Sequence, residues 1–366
     1  MQRFAEIFAV LPDPRAPNAR HDLAEMMFMA VAATLCGAKS CSDMALFAEA
    51  KEPMLRTVLV LEHGTPSHDT FSAVFRALDP AAFAQVFGRF AAAIGTQLSA
   101  QPTIAIDGKG MRHAVEKGRR HAPRVMVTAW GVEARMTLAA RAAPGGNEAQ
   151  AALELLTLLD LKGATVTADA LHCHRAMAAG ITARGGDYVL TLKGNQSALH
   201  ADALALLATT PAGPWAATKE CAHDRNETRR ARVIATKTAT ADLAGKHNFA
   251  GLSAIGVVKR VREAGTKCET ATHLYALSEQ MPPERLLKLV RGHWDIEDGL
   301  HHCLDVVLDE DRRRTRKDHG PDNLAMLHRF TLNLLRTDTS KGSLIGKTKR
   351  AGWNDAFLFS LLAQMR

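Results

Sequence analysis

The stretch that decides the fold is TIAIDG at residues 103–108, a short run of β-branched and small residues that ends in an aspartate and a glycine. Two further runs follow it, RVMVTAWG at 124–131 and RMTLAARAA at 135–143, with turn residues between them. Segments of this length, rich in β-branched residues and bounded by glycine or polar residues, are typical of β-strands. The sequence therefore predicts a three-stranded meander here, with Asp107 at the end of its first strand.

The pattern after the meander alternates between helices and strands. Residues 147–159 and 174–186 have helical periodicity, and the second of these segments closes on two glycines. Two strands are predicted beside them: ATVTADA at 164–170, which again ends in an aspartate, and DYVLTLKGNQ at 187–196, which runs into a polar loop. The order βββαβαβ predicts a mixed sheet with helices packed on it.

The regions on either side of this core have other patterns. Residues 1–97 predict a helical N-terminal region, in which the apolar segment at 22–38 is a buried helix. Such a region is either a plain helical bundle or a DNA-binding module. Three further regions complete the predicted α+β fold: the first part of the core at 98–198, a β-rich insertion at 199–281, and a helical completion of the core with a C-terminal tail at 282–366.

The insertion and the C-terminal region each have one dominant pattern. Within the insertion, segments of alternating character predict strands at 231–239, 252–263 and 272–279. Helical periodicity returns after the prolines at 282 and 283 and predicts one long helix at 284–307. A charged stretch and a final helix at 321–336 complete the prediction.

The bulk composition restricts the class of protein. The 366 residues carry 46 Lys and Arg against 38 Asp and Glu, and the net charge of +8 favours a polyanionic partner such as nucleic acid. Six scattered cysteines without a CxxC pair are typical of a reducing compartment. The N-terminus has no signal-peptide pattern, and the longest apolar run, 13 residues at 26–38, is too short to cross a bilayer. We therefore expect a soluble, cytoplasmic protein.

Three carboxylates are candidates for metal chemistry. Asp107 and Asp169 each end a predicted strand, and Glu297 lies between apolar positions of the long helix, with His293 and His301 four residues away on either side. Taken singly, a strand-end aspartate is more often a turn residue or a helix cap. Taken together, hard oxygen ligands suit Mg²⁺ or Mn²⁺, and two such ions can clamp the attacking and leaving oxygens of a phosphodiester.

The motifs around these carboxylates carry a family resemblance. AIDGKGMR at 105–112, TADALHCHRAMAAGI at 167–181, GGDYVLTLKGNQ at 185–196 and RGHWDIEDGLHHCLDVVLDED at 291–311 resemble motifs of the H-repeat-associated insertion-sequence transposases, a branch of the DDE transposases. The resemblance implies a ribonuclease-H-like core. In that fold the first Asp lies on the first strand, the second follows the fourth strand, and the Glu lies on a late helix, often after an inserted β domain. Asp298 departs from the family pattern, which usually has Asn there, and so do His302 and Cys303.

The same resemblance implies an activity. Asp107, Asp169 and Glu297 would be the catalytic residues and would hold two Mg²⁺ or Mn²⁺ ions. The expected reaction is endonuclease cleavage of double-stranded DNA at transposon ends, followed by cut-and-paste transfer of the freed 3′-OH into target DNA. A homodimer would bring two ends together. Two alternatives stay open, a metal-dependent nuclease of the same fold and an inactive DNA-binding remnant.

Basic residues near these motifs are candidates for DNA contacts, since Arg and Lys supply most contacts to phosphates. The alternative is that they are ordinary solvated charges. The candidates are Lys109, Arg112, Lys193, Arg291, His293, Arg313 and Arg314.

Histidines near Glu297 leave room for a zinc hydrolase as a further alternative. His293, Glu297 and His301 are spaced at four-residue steps on the predicted helix, and HCH at 172–174 adds softer ligands. Against this interpretation, the chain has neither an HExxH spacing nor a CxxC pair.

Overall fold

The computed structural model describes residues 2–94, 101–115, 123–210, 213–222, 225–235, 237–265 and 267–365. Within these ranges the chain forms an α+β structure built on one mixed sheet of nine strands. The strands are β1 (Thr103–Val115), β2 (Pro123–Gly131), β3 (Met136–Ala143), β4 (Thr165–Ala168), β5 (Asp187–Leu192), β6 (Ala216–Ala222), β7 (Arg225–Ile234), β8 (Ala254–Ala264) and β9 (Lys267–Leu277). Their order is β3-β2-β1-β4-β5-β9-β8-β7-β6. Strand β4 runs parallel to β1 and β5, and the other neighbours are antiparallel.

The five predicted core strands are confirmed, but the expectation that the first one ends at Asp107 is wrong. Strand β1 continues to Val115 because its antiparallel pairing with β2 extends well past the short strand β4. On its other side, β1 pairs with β4 only as far as Ile106, which lies opposite Ala168. Asp107 and Asp169 therefore each follow the last pair between these two strands, which places both carboxylates at one point of the sheet.

The segment predicted as a β-rich insertion continues the same sheet. Strand β9 pairs with β5, and β8, β7 and β6 follow outward from it. The predicted strand at 231–239 is wrong in its second half, because β7 ends at Ile234. Two helices that the alternating pattern did not predict belong to this segment, α9 (Ser197–Thr209) and α10 (Lys237–His247).

Helices cover the two faces of the sheet differently. On one face, α7 (Glu148–Leu156) and α8 (Arg175–Thr182) share an apolar core with side chains that include Ile106 and Val166. On the other face, Ala105 of β1 packs in a smaller cluster with Ile296 and Leu300. Because successive side chains of a strand point to opposite faces, Asp107 shares the face of Ala105.

The predicted long C-terminal helix is interrupted, and the helix at 321–336 is not the last one. The helices here are α11 (Pro283–His293), α12 (His302–Leu308), α13 (Gly320–Thr337), α14 (Leu344–Trp353) and α15 (Asp355–Leu362). A π-helical turn, Glu297–His301, lies between α11 and α12. No helix in the described part of the chain is long and apolar enough to cross a membrane.

The N-terminal region is helical as predicted and packs on the C-terminal one. Its helices are α1 (Gln2–Phe8), α2 (Leu23–Leu35), α3 (Cys41–Ala50), α4 (Glu52–Leu55), α5 (His68–Ala77) and α6 (Pro80–Ala93). Phe330 of α13 stacks on Phe90 and Phe83 of α6, with ring centroids 4.3 and 5.8 Å apart. The first and last parts of the chain therefore share one apolar core.

Candidate metal and nucleic-acid site

The three predicted carboxylates line one cavity of about 460 Å³ on the face of the sheet that carries α11. Asp107 comes from the middle of β1, Asp169 follows β4, and Glu297 begins the π-helical turn. The sequence places these residues 62 and 128 positions apart (169 − 107 and 297 − 169). The parallel pairing of β1 with β4 brings the two aspartates together. The chain then returns through α11, which places Glu297 at the same cavity.

Glu297 does not lie in the middle of a regular helix, as the sequence predicted. It is the first residue of the π-helical turn, in which the backbone N–H of His302 donates to the carbonyl of Glu297, five residues back. Single π-turns inside helices are rare and occur frequently at functional sites. Gly299, Leu300 and His301 of this turn are buried, whereas the Glu297 side chain is half-exposed toward the cavity.

Asp107, Glu297 and His301 form the closest group in the cavity. Nδ1 of His301 lies 3.2 Å from Oε2 of Glu297 and 3.8 Å from Oδ2 of Asp107. One ligand atom from each residue lies within 4.8 Å of the other two. Among the described residues this is the one group of three His, Cys, Asp or Glu side chains close enough to hold a metal ion together.

The charges of this group are unbalanced in a way that a cation would correct. Burial raises the pKa of Asp107 to about 8, and the negative charges of Glu297 and Asp169 add to this shift. A hydrogen bond from His301 lowers the pKa of Glu297. Buried carboxylates that repel one another are stabilised by a bound cation, and oxygen ligands of this kind fit Mg²⁺ or Mn²⁺.

Asp169 lies at the same cavity but outside the closest group. Its Oδ1 accepts backbone N–H bonds from Leu171 at 3.0 Å and His172 at 3.4 Å, so one of its oxygens caps the short turn at 170–172. Asp169 therefore has the capping role that is common for an aspartate at the end of a strand, and it also lines the cavity. Both of these bonds reach Oδ1, so the cap does not engage the second oxygen, Oδ2.

Glu148 is a further acidic neighbour that sequence analysis did not include among the site residues. It is half-buried at the start of α7, and burial together with the charge of Asp169 raises its pKa. A Cβ at Gly108 would come within 2.1 Å of the Glu148 Oε2 atom. The glycine after Asp107 therefore leaves room for this carboxylate, and the pairing of glycine with a distant glutamate could not be read from either local motif.

Apart from His301, two histidines of the zinc alternative, His293 and His174, have hydrogen-bond partners within the protein. Nδ1 of His293 lies 3.1 Å from Oγ1 of Thr167, and burial lowers the pKa of His293 to about 4, so the ring is neutral near pH 7. His174 caps α8 by accepting the backbone N–H of Met177. Within the described ranges, HCH at 172–174 contributes no residue to a three-residue metal group.

Two of the seven predicted DNA contacts are engaged inside the protein. Lys109 is only 7% exposed, and its Nζ lies 2.9 Å from carboxylate oxygens of Asp305 and Asp311. The guanidinium of Arg313 donates to the backbone carbonyls of Ala38 and Leu308. Both residues therefore have internal partners, which their motifs do not reveal, and their contact with DNA stays a prediction.

The other predicted contacts differ in position. Lys193, Arg291 and His293 line the cavity. Arg112 and Arg314 are exposed and are not among the cavity-lining residues. Nε of Arg112 lies 3.0 Å from a carboxylate oxygen of Asp311.

Three basic side chains that sequence analysis missed also line the cavity. They are Arg229 of β7, Arg260 of β8 and His273 of β9, on the outer strands of the sheet. Arg229 and Arg260 therefore place cationic groups on the face that carries Asp107, whereas burial lowers the pKa of His273. Alternation within β7 and β8 was visible in the sequence, but the face to which it points depends on the pairing of β9 with β5.

Comparison with known proteins identifies the family to which the chain belongs. Residues 98–334 match the family described as Transposase DDE domain, and residues 5–91 match the family described as DDE_Tnp_1-associated. The chain is 28% identical to the H repeat-associated putative transposase YhhI of Escherichia coli, over 99% of this chain and 98% of that protein. It is 36% identical to an uncharacterized protein in the dhlA 3′ region of Xanthobacter autotrophicus, over 75% of this chain and 94% of that protein.

A solved structure is similar to this chain at a lower level. The piggyBac transposase synaptic complex with hairpin DNA has 12% sequence identity and a TM-score of 0.44, with 98% of this chain and 77% of that chain covered. The family matches cover most of the chain and include every residue of the cavity. The chain belongs to the DDE transposase family, with relatives among the H repeat-associated putative transposases.

Proposed function

We propose that this chain is a DNA transposase that cuts double-stranded DNA at transposon ends and joins the freed 3′-OH to target DNA. The observation that carries the proposal is the meeting of Asp107, Asp169 and Glu297 at one cavity from three separate elements. Asp107 lies on the first strand of the sheet and Asp169 directly follows the fourth. This is the placement of the two aspartates in ribonuclease-H-like cores, and it supports a core of that type.

The donor set fits the metal ions that the family implies. Asp107 and Glu297 offer oxygen atoms to one ion, and Asp169, whose cap bonds reach only Oδ1, lines the same cavity. Two Mg²⁺ or Mn²⁺ ions in this place would activate the attacking oxygen and stabilise the departing 3′ oxygen of the phosphodiester.

The protein's own residues would place the DNA strand. Lys193, Arg260 and Arg291 line the cavity beside the carboxylates and can pair with phosphates of a bound strand. The ring of His293, whose Nδ1 lies 3.1 Å from Thr167 Oγ1, also lines the cavity and is neutral near pH 7. The excess of basic over acidic residues in the whole chain, +8, favours this polyanionic partner.

Two further expectations belong to the proposal. Two transposon ends held together require two copies of the site, so we propose a homodimer in the DNA complex. None of the six cysteines forms a disulfide, which agrees with a protein that acts in the cytoplasm, where thiols stay reduced.

An assay on end-containing DNA tests the proposal. The substrate is a duplex from either flank of the gene, incubated with the protein over a titration of Mg²⁺ or Mn²⁺ and with a second duplex as target. We expect metal-dependent cleavage and a joined product. Cleavage without joining would support the nuclease alternative, and DNA binding without cleavage at any metal concentration would support the inactive remnant.

A further inference from the structure

We infer that His301 is a nitrogen ligand of the metal ion held by Asp107 and Glu297, and that it biases this site toward Mn²⁺ over Mg²⁺. The inference rests on the carboxylate metal site of the proposed function and adds a ligand that the three carboxylates do not include. His301 ends the π-helical turn, and its side chain is 9% exposed. A ring this deeply buried and aimed at two carboxylates lies where a metal ligand would be.

The distances match ligands that share one ion. Ligand atoms about 2.1 Å from an octahedral ion are about 3 Å apart when they occupy neighbouring positions. Nδ1 of His301 lies 3.2 Å from Glu297 Oε2 and 3.8 Å from Asp107 Oδ2. The imidazole nitrogen therefore fits a position next to each of the two carboxylate oxygens after shifts of less than about 1 Å, and all three ligand atoms lie within 4.8 Å of one another.

A simple helix ion pair accounts for only part of this geometry. A pair at four-residue spacing would explain the contact of His301 with Glu297. It does not explain why the same nitrogen also lies near Asp107, which comes from β1. The opposite nitrogen, Nε2, is buried and has no hydrogen-bond partner within the described part of the chain. With no ion bound, the Glu297 carboxylate holds a proton on Nδ1; an ion at Nδ1 would replace that proton, and no protein donor at Nε2 opposes the other tautomer.

The other histidine at the cavity provides a matched comparison. Nδ1 of His293 is engaged by Oγ1 of Thr167, and His293 does not belong to the close group of ligand atoms. Imidazole nitrogen suits Mn²⁺ and later transition metals better than Mg²⁺, which prefers oxygen. A site with two carboxylates and one imidazole should thus discriminate between the two ions more strongly than a site with carboxylates alone.

Pulsed electron paramagnetic resonance of the full chain loaded with one equivalent of Mn²⁺ tests the inference. A directly coordinated imidazole gives a ¹⁴N modulation of the Mn²⁺ signal. We expect this modulation in the wild type and in His293→Gln, and its loss in His301→Gln. Titration should show Mn²⁺ affinity about tenfold weaker in His301→Gln, with a smaller change for Mg²⁺.

The outcomes separate this inference from the proposed function. Nitrogen modulation that persists in His301→Gln, or is absent from a wild type whose Mn²⁺ binding is lost in Asp107→Asn, would overturn the role of His301 and leave the carboxylate site standing. Mn²⁺ binding that Asp107→Asn does not weaken would overturn the site and the ligand together. If His301→Gln folds poorly by circular dichroism, His301→Asn serves in its place. Wild-type protein with ¹⁵N-labelled histidine identifies a histidine ligand without any substitution.

Discussion

Lys109 of β1 and Asp305 of α12 join the strand that carries Asp107 to the helix that directly follows the π-helical turn of Glu297, with Nζ 2.9 Å from the carboxylate. Lys109 lies two residues after Asp107, so the two side chains share one face of the strand. Asp305 lies one helical turn after His301. Asp311 accepts a second bond from the same ammonium. The ion group therefore fixes how the helix sits on the strand at the place where the carboxylates must meet.

Lys109→Met should loosen this junction. The substitution keeps most of the side-chain volume but leaves Asp305 and Asp311 without their buried partner, so we expect the free energy of unfolding to fall by about 2 kcal/mol, as urea denaturation would measure. Metal affinity should fall as well, because Asp107 and Glu297 lose their fixed separation. Arg112→Ala is the matched control: Arg112 pairs with the same Asp311 but is 80% exposed, and its loss should cost under about 1 kcal/mol. Equal losses in the two variants would contradict this role of Lys109.

Removing any of the three carboxylates should abolish cleavage while DNA binding remains. Asp107→Asn, Asp169→Asn and Glu297→Gln each delete a ligand charge at the cavity, and we expect cleavage to fall by more than the roughly 100-fold that follows loss of an outer-shell partner. Gel shift in the presence of Ca²⁺ measures binding separately.

Asp298→Asn is the control for this series. Asp298 is exposed beside Glu297 and lines the cavity, and the family pattern that this segment resembles usually has Asn there. Losing its negative charge should leave cleavage within a few-fold of wild type and tighten DNA binding at low salt. Persistent cleavage in Asp169→Asn would show that the second ligand is assigned wrongly.

Arg260→Ala should weaken DNA binding for all sequences alike. Arg260 projects from β8 into the cavity, and a phosphate contact there would release about one counterion when DNA binds. We expect the slope of log affinity against log salt to fall by about one. Arg184→Ala is the comparison, because Arg184 is exposed just after α8 and is not among the cavity-lining residues. An unchanged salt slope in Arg260→Ala would place the DNA elsewhere.

A buried cluster on α13 should make the protein sensitive to acid. Burial lowers the pKa of His328 from 6.5 to about 4. The unfolded chain takes up this proton first as the pH falls, so stability is lost between about pH 6.5 and 4 and is fully present above that window. Burial alone would raise the pKa of Glu310, but Arg329 and His328 hold it at about 2, so its share of stability is lost only below about pH 4.5.

Urea denaturation at two pH values measures this effect. We expect His328 to account for a loss of about 2 kcal/mol between pH 7 and pH 5. His328→Gln keeps a donor for Glu310, 2.9 Å from Nδ1 in the wild type, but cannot titrate. The variant should therefore lose less stability than the wild type over the same interval. Identical pH dependence in both proteins would mean that His328 has the same pKa in the folded and the unfolded state.

The core of the fold could be predicted because its signals are local. β-Branched runs, glycine boundaries and helical periodicity identify β1 to β5, α7 and α8 from a few residues each. The assignment of Asp107 and Asp169 to one end of the sheet followed from the same runs. The extension of β1 to Val115 did not, because it depends on pairing with β2 across a gap in the chain.

What the sequence concealed is set by contacts between distant segments. Lys109 and Arg313 resemble solvated charges in their motifs, and only the packing of α12 and α2 around them makes them internal. The face presented by Arg229 and Arg260 depends on how β9 joins β5. Pairing register over such separations has no signature in either partner alone.

The π-helical turn has a geometric consequence for the whole site. Eight residues separate Glu297 from Asp305 (305 − 297), which in a regular α-helix of 3.6 residues per turn would leave the two side chains about 80° apart. One π-turn of about 4.4 residues followed by one α-turn of 3.6 makes those eight residues two full turns. The proposed metal ligand Glu297 and the ion partner Asp305 therefore lie on the same side of the helix, above Asp107 and Lys109. The number of residues between 297 and 305 therefore fixes the relative direction of the two side chains. Substitutions within this segment can change packing, but the insertion or deletion of one residue would turn Glu297 away from the side of the helix that carries Asp305.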